Sequence, residues 1–286
     1  LTWSTAGVSD GELVFVSGHP GHTSRQLTMV ELDYLRDRQF PYALRRLYNL
    51  EVTLSAYSAE DQENARRARD LLFGVQNSRK AREGMFAGLL DPAIMKQKRT
   101  AAEQLRAAAA QSPQAQEIVP AWDRIAEAQQ IIAENALSYN LLEGAHGFNS
   151  MLFHIARTIL RAVEEKGKPS GERLREFRDS NLESLEFQLF SAEPIYDDFE
   201  QLKLANSLTW LVQQLGISDP LVQKILAGKS PRERAAEWIA GARLQDVELR
   251  RKLYAAAPAE VQAAHDPMIE LARLIDPQSR AVRKVV

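Results

Sequence analysis

The chain has 286 residues, 45% of them hydrophobic and 26% charged, the composition of a globular protein rather than a disordered or fibrous one. With 36 Lys and Arg against 38 Asp and Glu, the net charge of −2 supplies neither a basic field for nucleic acid nor an acidic tail. Cysteine is absent, which excludes a disulfide scaffold, thiolate metal sites and a cysteine nucleophile, and leaves cytosol, periplasm and secretion all open.

At roughly 150 residues per domain, the length fits two domains or one large helical array. The sequence begins at Leu1 with neither an initiator Met nor a basic-then-apolar leader, and reads as a piece of a longer protein. Apolar runs are short, far below the about 20 residues that span a bilayer, so no membrane helix is expected.

The first element is a strand, Leu13-Val14-Phe15-Val16, set between the turn pairs Asp10-Gly11 and Ser17-Gly18. It is apolar enough to be buried, and a lone strand must pair with something, so its partners are expected outside this chain. From Leu27 the period becomes helical. Leu27, Val30, Tyr34 and Leu35 form one stripe, Trp122, Ile125, Ile132, Ala136 and Tyr139 a second, and Met151, Leu152, Ile155, Ile159, Leu160 and Val163 a third. Later stripes run through Leu202, Ala205, Leu208, Thr209, Val212 and Leu215, then Ala235, Trp238, Ile239 and Ala242, then Met268, Leu271, Ala272 and Ile275. Helix packing is the reading for all of them.

Helix starts are marked by capping residues. Ser230-Pro231-Arg232-Glu233 is a capping box, and Asp91-Pro92, Asp219-Pro220, Asp266-Pro267 and Asp276-Pro277 each set a carboxylate before a residue suited to the first helical turn. Short helices are expected in the last third. Residues 96–111 read as a solvated Ala-rich helix and residues 166–171 as a linker, and no fixed-period repeat points to a solenoid.

No catalytic motif is present: no nucleophile elbow, phosphate loop, zinc-protease His-Glu pair or calcium loop. His19 and His22 flank Pro20-Gly21 and could ligate a metal together, but no third ligand stands at a recognisable spacing. His146 and His154 read as hydrogen-bonded structural histidines, and His265 as part of a helix start. Asp197-Asp198-Phe199-Glu200 precedes an apolar stripe, where acids favour the positive end of a helix. The residues alone describe a mostly helical domain with an orphan strand and no self-contained active site.

The segment Val14-Phe15-Val16-Ser17-Gly18-His19-Pro20-Gly21-His22-Thr23-Ser24-Arg25 resembles the strand and loop of the dipeptidyl-peptidase 7 and 11 family of bacterial serine exopeptidases, with pattern Gly-x-Pro-Gly-Arg-Thr-x-Arg. His22 replaces the first Arg of that pattern and Arg25 matches the second. Gln76-Asn77-Ser78-Arg79-Lys80, with Gly84 and Gly88-Leu89, is similar to the family's Asn-x-x-Lys helix and its later glycines. Further blocks follow in family order: Lys168-Pro169 with Glu172-Arg173-Leu174, Pro194-Ile195-Tyr196, Leu226 to Pro231, and Asp266 to Pro277.

The resemblance implies a mainly α chain: a multi-helix cap domain, residues 27–286, inserted into a chymotrypsin-like β-barrel of which residues 1–26 are the edge. The Ser-His-Asp triad would then lie outside this chain, leaving no catalytic residue and no metal or cofactor in it. Asn77 is implied to bind the substrate α-ammonium, while Lys80 and Arg25 read as scaffold or surface residues. An exopeptidase that releases dipeptides must hold that ammonium a fixed distance from the nucleophile, and a carboxamide oxygen can accept from it without adding charge. Implied partners are peptides with a free N-terminus and the barrel of the same parent, with no nucleic acid or membrane and room for a homodimeric parent; the implied location is periplasmic or secreted. The rival expectations are a free-standing helical interaction or scaffold protein, and a metal hydrolase built on His19 and His22.

Overall fold

The computed structural model describes residues 5–15, 17–18 and 26–286. The fold is mainly α, with no strand among the described residues. Leu13, Val14 and Phe15 are exposed and unpaired, so the expected strand finds no partner among them; Val16 lies outside the described residues.

Helix α1 (Met29–Tyr34) starts on a capping box, with Thr28 donating its backbone N–H to Glu31 at 2.7 Å. A π-helical turn, Leu35–Gln39, carries the chain on into α2 (Phe40–Glu60). Asp61 ends that rod and caps the next, α3 (Gln62–Leu90), accepting from Asn64 N at 2.8 Å. The two long helices form a hairpin whose small core holds Leu47, Leu50, Leu54 and Tyr57 of α2 and Ala68 and Val75 of α3.

An arm follows: α4 (Pro92–Ala110), capped by Asp91 as expected, α5 (Ala115–Ile118) and α6 (Pro120–Ser138). Met95 is buried, but the predicted stripe of α6 is only half sunk, and Ile94, Leu105, Ile118, Ile125 and Ile131 stay exposed. The solvated character expected of 96–111 extends to the whole arm.

A second π turn, Tyr139–Glu143, leads into α7 (Met151–Glu165), which buries Leu152, Ile155, Ile159, Leu160 and Val163 as its stripe predicts. Residues 166–171 form a turn inside one core rather than a boundary, because Val163 before it and Phe177 after it share a cluster. Then come α8 (Asp179–Leu189) and α9 (Asp197–Leu215), the latter closed by Gly216 at φ +87, a conformation open to glycine at little cost. The last third is α10 (Pro220–Leu226), α11 (Pro231–Gly241), α12 (Val247–Ala255), α13 (Pro258–Gln262) and α14 (Pro267–Val285). Asp219, Ser230 and Asp266 cap their helices as the sequence predicts.

One expectation fails here. Asp276-Pro277 starts no helix: α14 runs through Pro277, and the Asp276 carboxylate accepts from Arg161 and Arg280 instead of from its own backbone. An ion pair across the core outcompetes a local cap. Helix α9 buries Leu208 and packs Leu202, Ala205, Val212 and Leu215 against the cores as its stripe predicts, but Thr209 is exposed, and Leu204, Ser207 and Leu211 are buried as well because the helix serves two cores. The main core joins α7, α9, α11 and α14 around Phe148, Phe153, Leu208, Trp238 and Ile275. Glu200 of α9, almost fully buried, anchors the start of α7 by accepting from Ser150 Oγ at 2.7 Å and Met151 N at 2.6 Å.

Candidate functional site

Asn77 lies near the middle of α3, exposed, with no hydrogen bond from its side chain to any described residue. By helical periodicity Gly74, Ala81, Gly84 and Gly88 share its face. A Cβ built on Gly74, Gly84 or Gly88 meets nothing within 4 Å. Phe73, 71% exposed, and Met85, 52% exposed, flank this strip. Glycine inside an exposed helix costs about 1 kcal/mol relative to alanine. A face that gives up stability at repeated positions gains a low profile, over which another backbone can pass closely.

The opposite side of α3 fixes its rotation. Arg79 bridges Glu51 of α2 and Glu83 of its own helix, the latter at 2.7 Å, and its guanidinium lies 5.1 Å from the Tyr48 ring centroid. The Arg79 hydrogen bond is the main reason the Glu51 carboxyl is held below its usual range. With Arg79 tied inward to α2, Asn77 is aimed outward.

At the side of the hairpin, Tyr42 of α2 stacks on His146 with ring centroids 5.9 Å apart and its hydroxyl 3.1 Å from Nδ1. Trp210 of α9 donates Nε1 to the same hydroxyl at 3.2 Å. His146 is therefore the hydrogen-bonded histidine the sequence predicts. Burial first, then the charges of Arg46 and Arg82, push its pKa down to about 3. His154 on α7 is pushed down to about 4, by burial and then by Arg157 and Lys203. Neither histidine hydrogen-bonds a serine or threonine hydroxyl among the described residues. His265 is exposed, 3.5 Å from Glu270.

The acids at the start of α9 sit in its first turn as expected and are all engaged. Asp197 accepts from Gln245, Asp198 from Tyr57 and Arg67, and Glu200 anchors α7. His19, His22 and Arg25 lie outside the described residues. Among the described residues no group of three His, Asp or Glu side chains is placed to hold a metal ion, and no helix is long and apolar enough to cross a membrane.

A cleft of about 480 Å³ opens between α7, the 190–196 segment and α9, with Met151, Ile155, Phe187 and Tyr196 on its walls and Arg250 at its base. Arg250 is almost fully buried and donates to the carbonyl oxygens of Leu189, Ser191, Leu244 and Gln245. No spacing in the sequence marks this latch, nor the meeting of Tyr42 with His146, 104 residues away.

The model of the family described as Peptidase S46 matches residues 1–286. The chain belongs to the peptidase S46 family. A curated relative, an Asp/Glu-specific dipeptidyl-peptidase from Shewanella putrefaciens, is 28% identical over 179 residues, which cover 62% of this chain and 24% of that protein. The chain thus matches about a quarter of that relative's length. The family agrees with the resemblance read from the Gly-Pro loop and the Asn77 helix.

Proposed function

We propose that this S46 chain is the helical cap of a serine-type dipeptidyl peptidase that is periplasmic or secreted, and that Asn77 accepts a hydrogen bond from the α-ammonium of the substrate. Residues 27–286 form the cap, and residues 1–26 belong to the edge of a β-barrel that carries the triad. The observation that carries this reading is Asn77 itself: an exposed, unpartnered carboxamide on a strip of α3 kept low by Gly74, Gly84 and Gly88. The unpaired, exposed Leu13, Val14 and Phe15 support it, since a free-standing protein has no use for an apolar strand without neighbours. The relative's dipeptidyl-peptidase name supports the reaction class.

Holding the ammonium with a neutral acceptor fixes how many residues reach the nucleophile, so two residues are released per cut. The 286-residue chain alone is then inactive. In the full-length parent, Asn77→Ala lowers kcat/KM for dipeptidyl arylamides with a free amine by about tenfold to a hundredfold, the loss expected when a charged group loses a partner. Hydrolysis by the isolated chain, or parent-level kinetics for Asn77→Ala, refutes the assignment.

A further inference from the structure

The cleft between α7, the 190–196 segment and α9 has a buried cation at its base and no counter-ion for it. Arg250 donates Nε to the Leu244 carbonyl oxygen at 2.5 Å, Nη1 to those of Leu189 and Ser191 at 3.2 and 2.9 Å, and Nη2 to that of Gln245 at 3.2 Å. A guanidinium carries five N–H donors, so one on Nη2 is left over. Among the described residues no carboxylate forms an ion pair with Arg250. Asp246, one turn earlier, is spent as the cap of α12, accepting from Glu248 N at 2.8 Å. Burial holds the Arg250 guanidinium below its usual range, and the Asp246 charge opposes this only in part. Carbonyl oxygens satisfy hydrogen bonds without neutralising a charge, and a buried charge stays costly until an opposite one joins it.

A second cation lines the same cleft. Lys203 of α9 gives one N–H to Glu200 at 2.5 Å and keeps two, while Glu200 is already taken up by Lys203, Ser150 and Met151. Arg67, also on the cleft, is matched by Glu63 and Asp198. At the mouth stands an acid in the opposite condition: Glu193 is exposed and its carboxylate has no partner among the described residues. Ser191 ties it to Arg250, since the Ser191 carbonyl takes Arg250 Nη1 and the Ser191 Oγ takes Glu193 N at 3.3 Å. The walls are apolar, with Ile155 buried behind them and Met151 and Phe187 left 51% and 82% exposed.

We propose that this cleft binds a dipeptide with apolar side chains, its carboxylate on Arg250 and Lys203, its α-ammonium on Glu193 and its side chains against Met151, Ile155 and Phe187. Unmatched cations at the base, an unmatched acid at the mouth and apolar walls complement a small zwitterion with an apolar body, and a simple fatty acid leaves Glu193 unanswered. The volume of about 480 Å³ lies within the roughly 300–1,000 Å³ of small-ligand clefts. A dipeptide is what the proposed reaction releases, so the choice of ligand rests on that reading. Arg67 on this cleft stands about 15 Å along α3 from Asn77, and a dipeptide spans about 7 Å, so one molecule cannot reach both.

The test is isothermal titration calorimetry on the 286-residue chain at constant ionic strength, with the dipeptide Leu-Leu, its C-terminal amide, its N-acetyl form and decanoate as probes. Leu-Leu binds at one site, and the amide binds about tenfold more weakly, the effect of losing a charge-assisted hydrogen bond. Glu193→Gln weakens Leu-Leu about threefold, as for an exposed ion pair, and leaves N-acetyl-Leu-Leu unchanged. Phe187→Ala weakens both. Glu193 and Phe187 are exposed, so these variants keep the fold, which circular dichroism checks. Arg250→Lys removes the preference for acid over amide; if it unfolds the chain, Lys203→Gln must reduce that preference instead. No saturable heat with Leu-Leu, equal affinity for Leu-Leu and its amide, or equal effects of Glu193→Gln on the free and acetylated forms overturns the site. Decanoate binding tighter than Leu-Leu assigns the cleft to an aliphatic acid and overturns the dipeptide. Failure of Leu-Leu to bind leaves the cap reading standing, whereas parent-level kinetics for Asn77→Ala sink that reading whatever Leu-Leu does.

Discussion

Arg161 of α7 and Asp276 of α14 meet at 2.6 Å with both side chains almost wholly withdrawn from solvent. Arg161 also grips Glu143 through both ends of its fork, at 3.0 and 2.7 Å, and Asp276 is shared with Arg280 at 2.6 Å. Arg283 adds a second cation to Glu143 at 2.9 Å. Burial alone would raise the Glu143 carboxyl, but hydrogen bonds from Arg161 and Ser279, with the Arg161 and Arg157 charges, outweigh it and hold the pKa at about 2.

Removing Arg161 takes one of two cations from each of two buried carboxylates, leaving Asp276 to Arg280 and Glu143 to Arg283. Arg161→Met is expected to cost about 3–5 kcal/mol, the penalty for breaking a buried pair from one side, and Asp276→Asn less, since its neutral amide retains hydrogen-bonding capacity. Urea unfolding followed by circular dichroism reads both. A loss below about 1 kcal/mol for Arg161→Met means that water reaches the cluster and screens it.

Stability falls on mild acidification. His146 and His154 have folded pKa values of about 3 and about 4, below the roughly 6.5 of an unfolded histidine. Above pH 6.5 both states are neutral and nothing is lost. As pH drops below 6.5 the unfolded chain binds protons that the folded chain refuses, and stability declines until the folded pKa is reached. Between pH 7 and pH 5 each histidine contributes a loss of roughly 2 kcal/mol. Denaturant midpoints across that range fall steeply in the parent sequence and less steeply in His154→Leu. A flat profile contradicts the enclosure of both rings.

The strip beside Asn77 separates stability from use. At Gly84 and Gly88 an added side chain meets open space, so Gly88→Leu leaves the 286-residue chain folded and raises its stability by up to about 1 kcal/mol through helix propensity. In the full-length parent the same change obstructs whatever passes over α3 and lowers peptide turnover. Unchanged turnover alongside raised stability means that this face is ordinary surface.

Local signals were legible because they act over one turn. Asp91, Asp219, Ser230 and Asp266 cap where the sequence says they should, and the apolar stripe of α7 is buried almost as spaced. Asp276-Pro277 carries the same signal and means something else, because Arg161, 115 residues away, outcompetes the local backbone. Helix α9 buries more than its predicted stripe for the same reason: it serves two cores, and a single-stripe reading describes only one face. For the candidate site, Asn77 was reachable through motif resemblance, whereas Tyr42 and His146, 104 residues apart, meet only through tertiary folding.

Helix α9 gives Phe199 to the hairpin cluster and Leu204, Leu208 and Leu211 to the main core. Rolling it to suit one would open a void in the other, and close-packed interiors resist that. The hairpin that presents Asn77 is therefore mounted on the C-terminal helices like a bracket on a wall. On the proposed reading as a cap, any swing over a substrate bends the chain outside this packed unit, and the face that carries Asn77 travels as one undeformed piece.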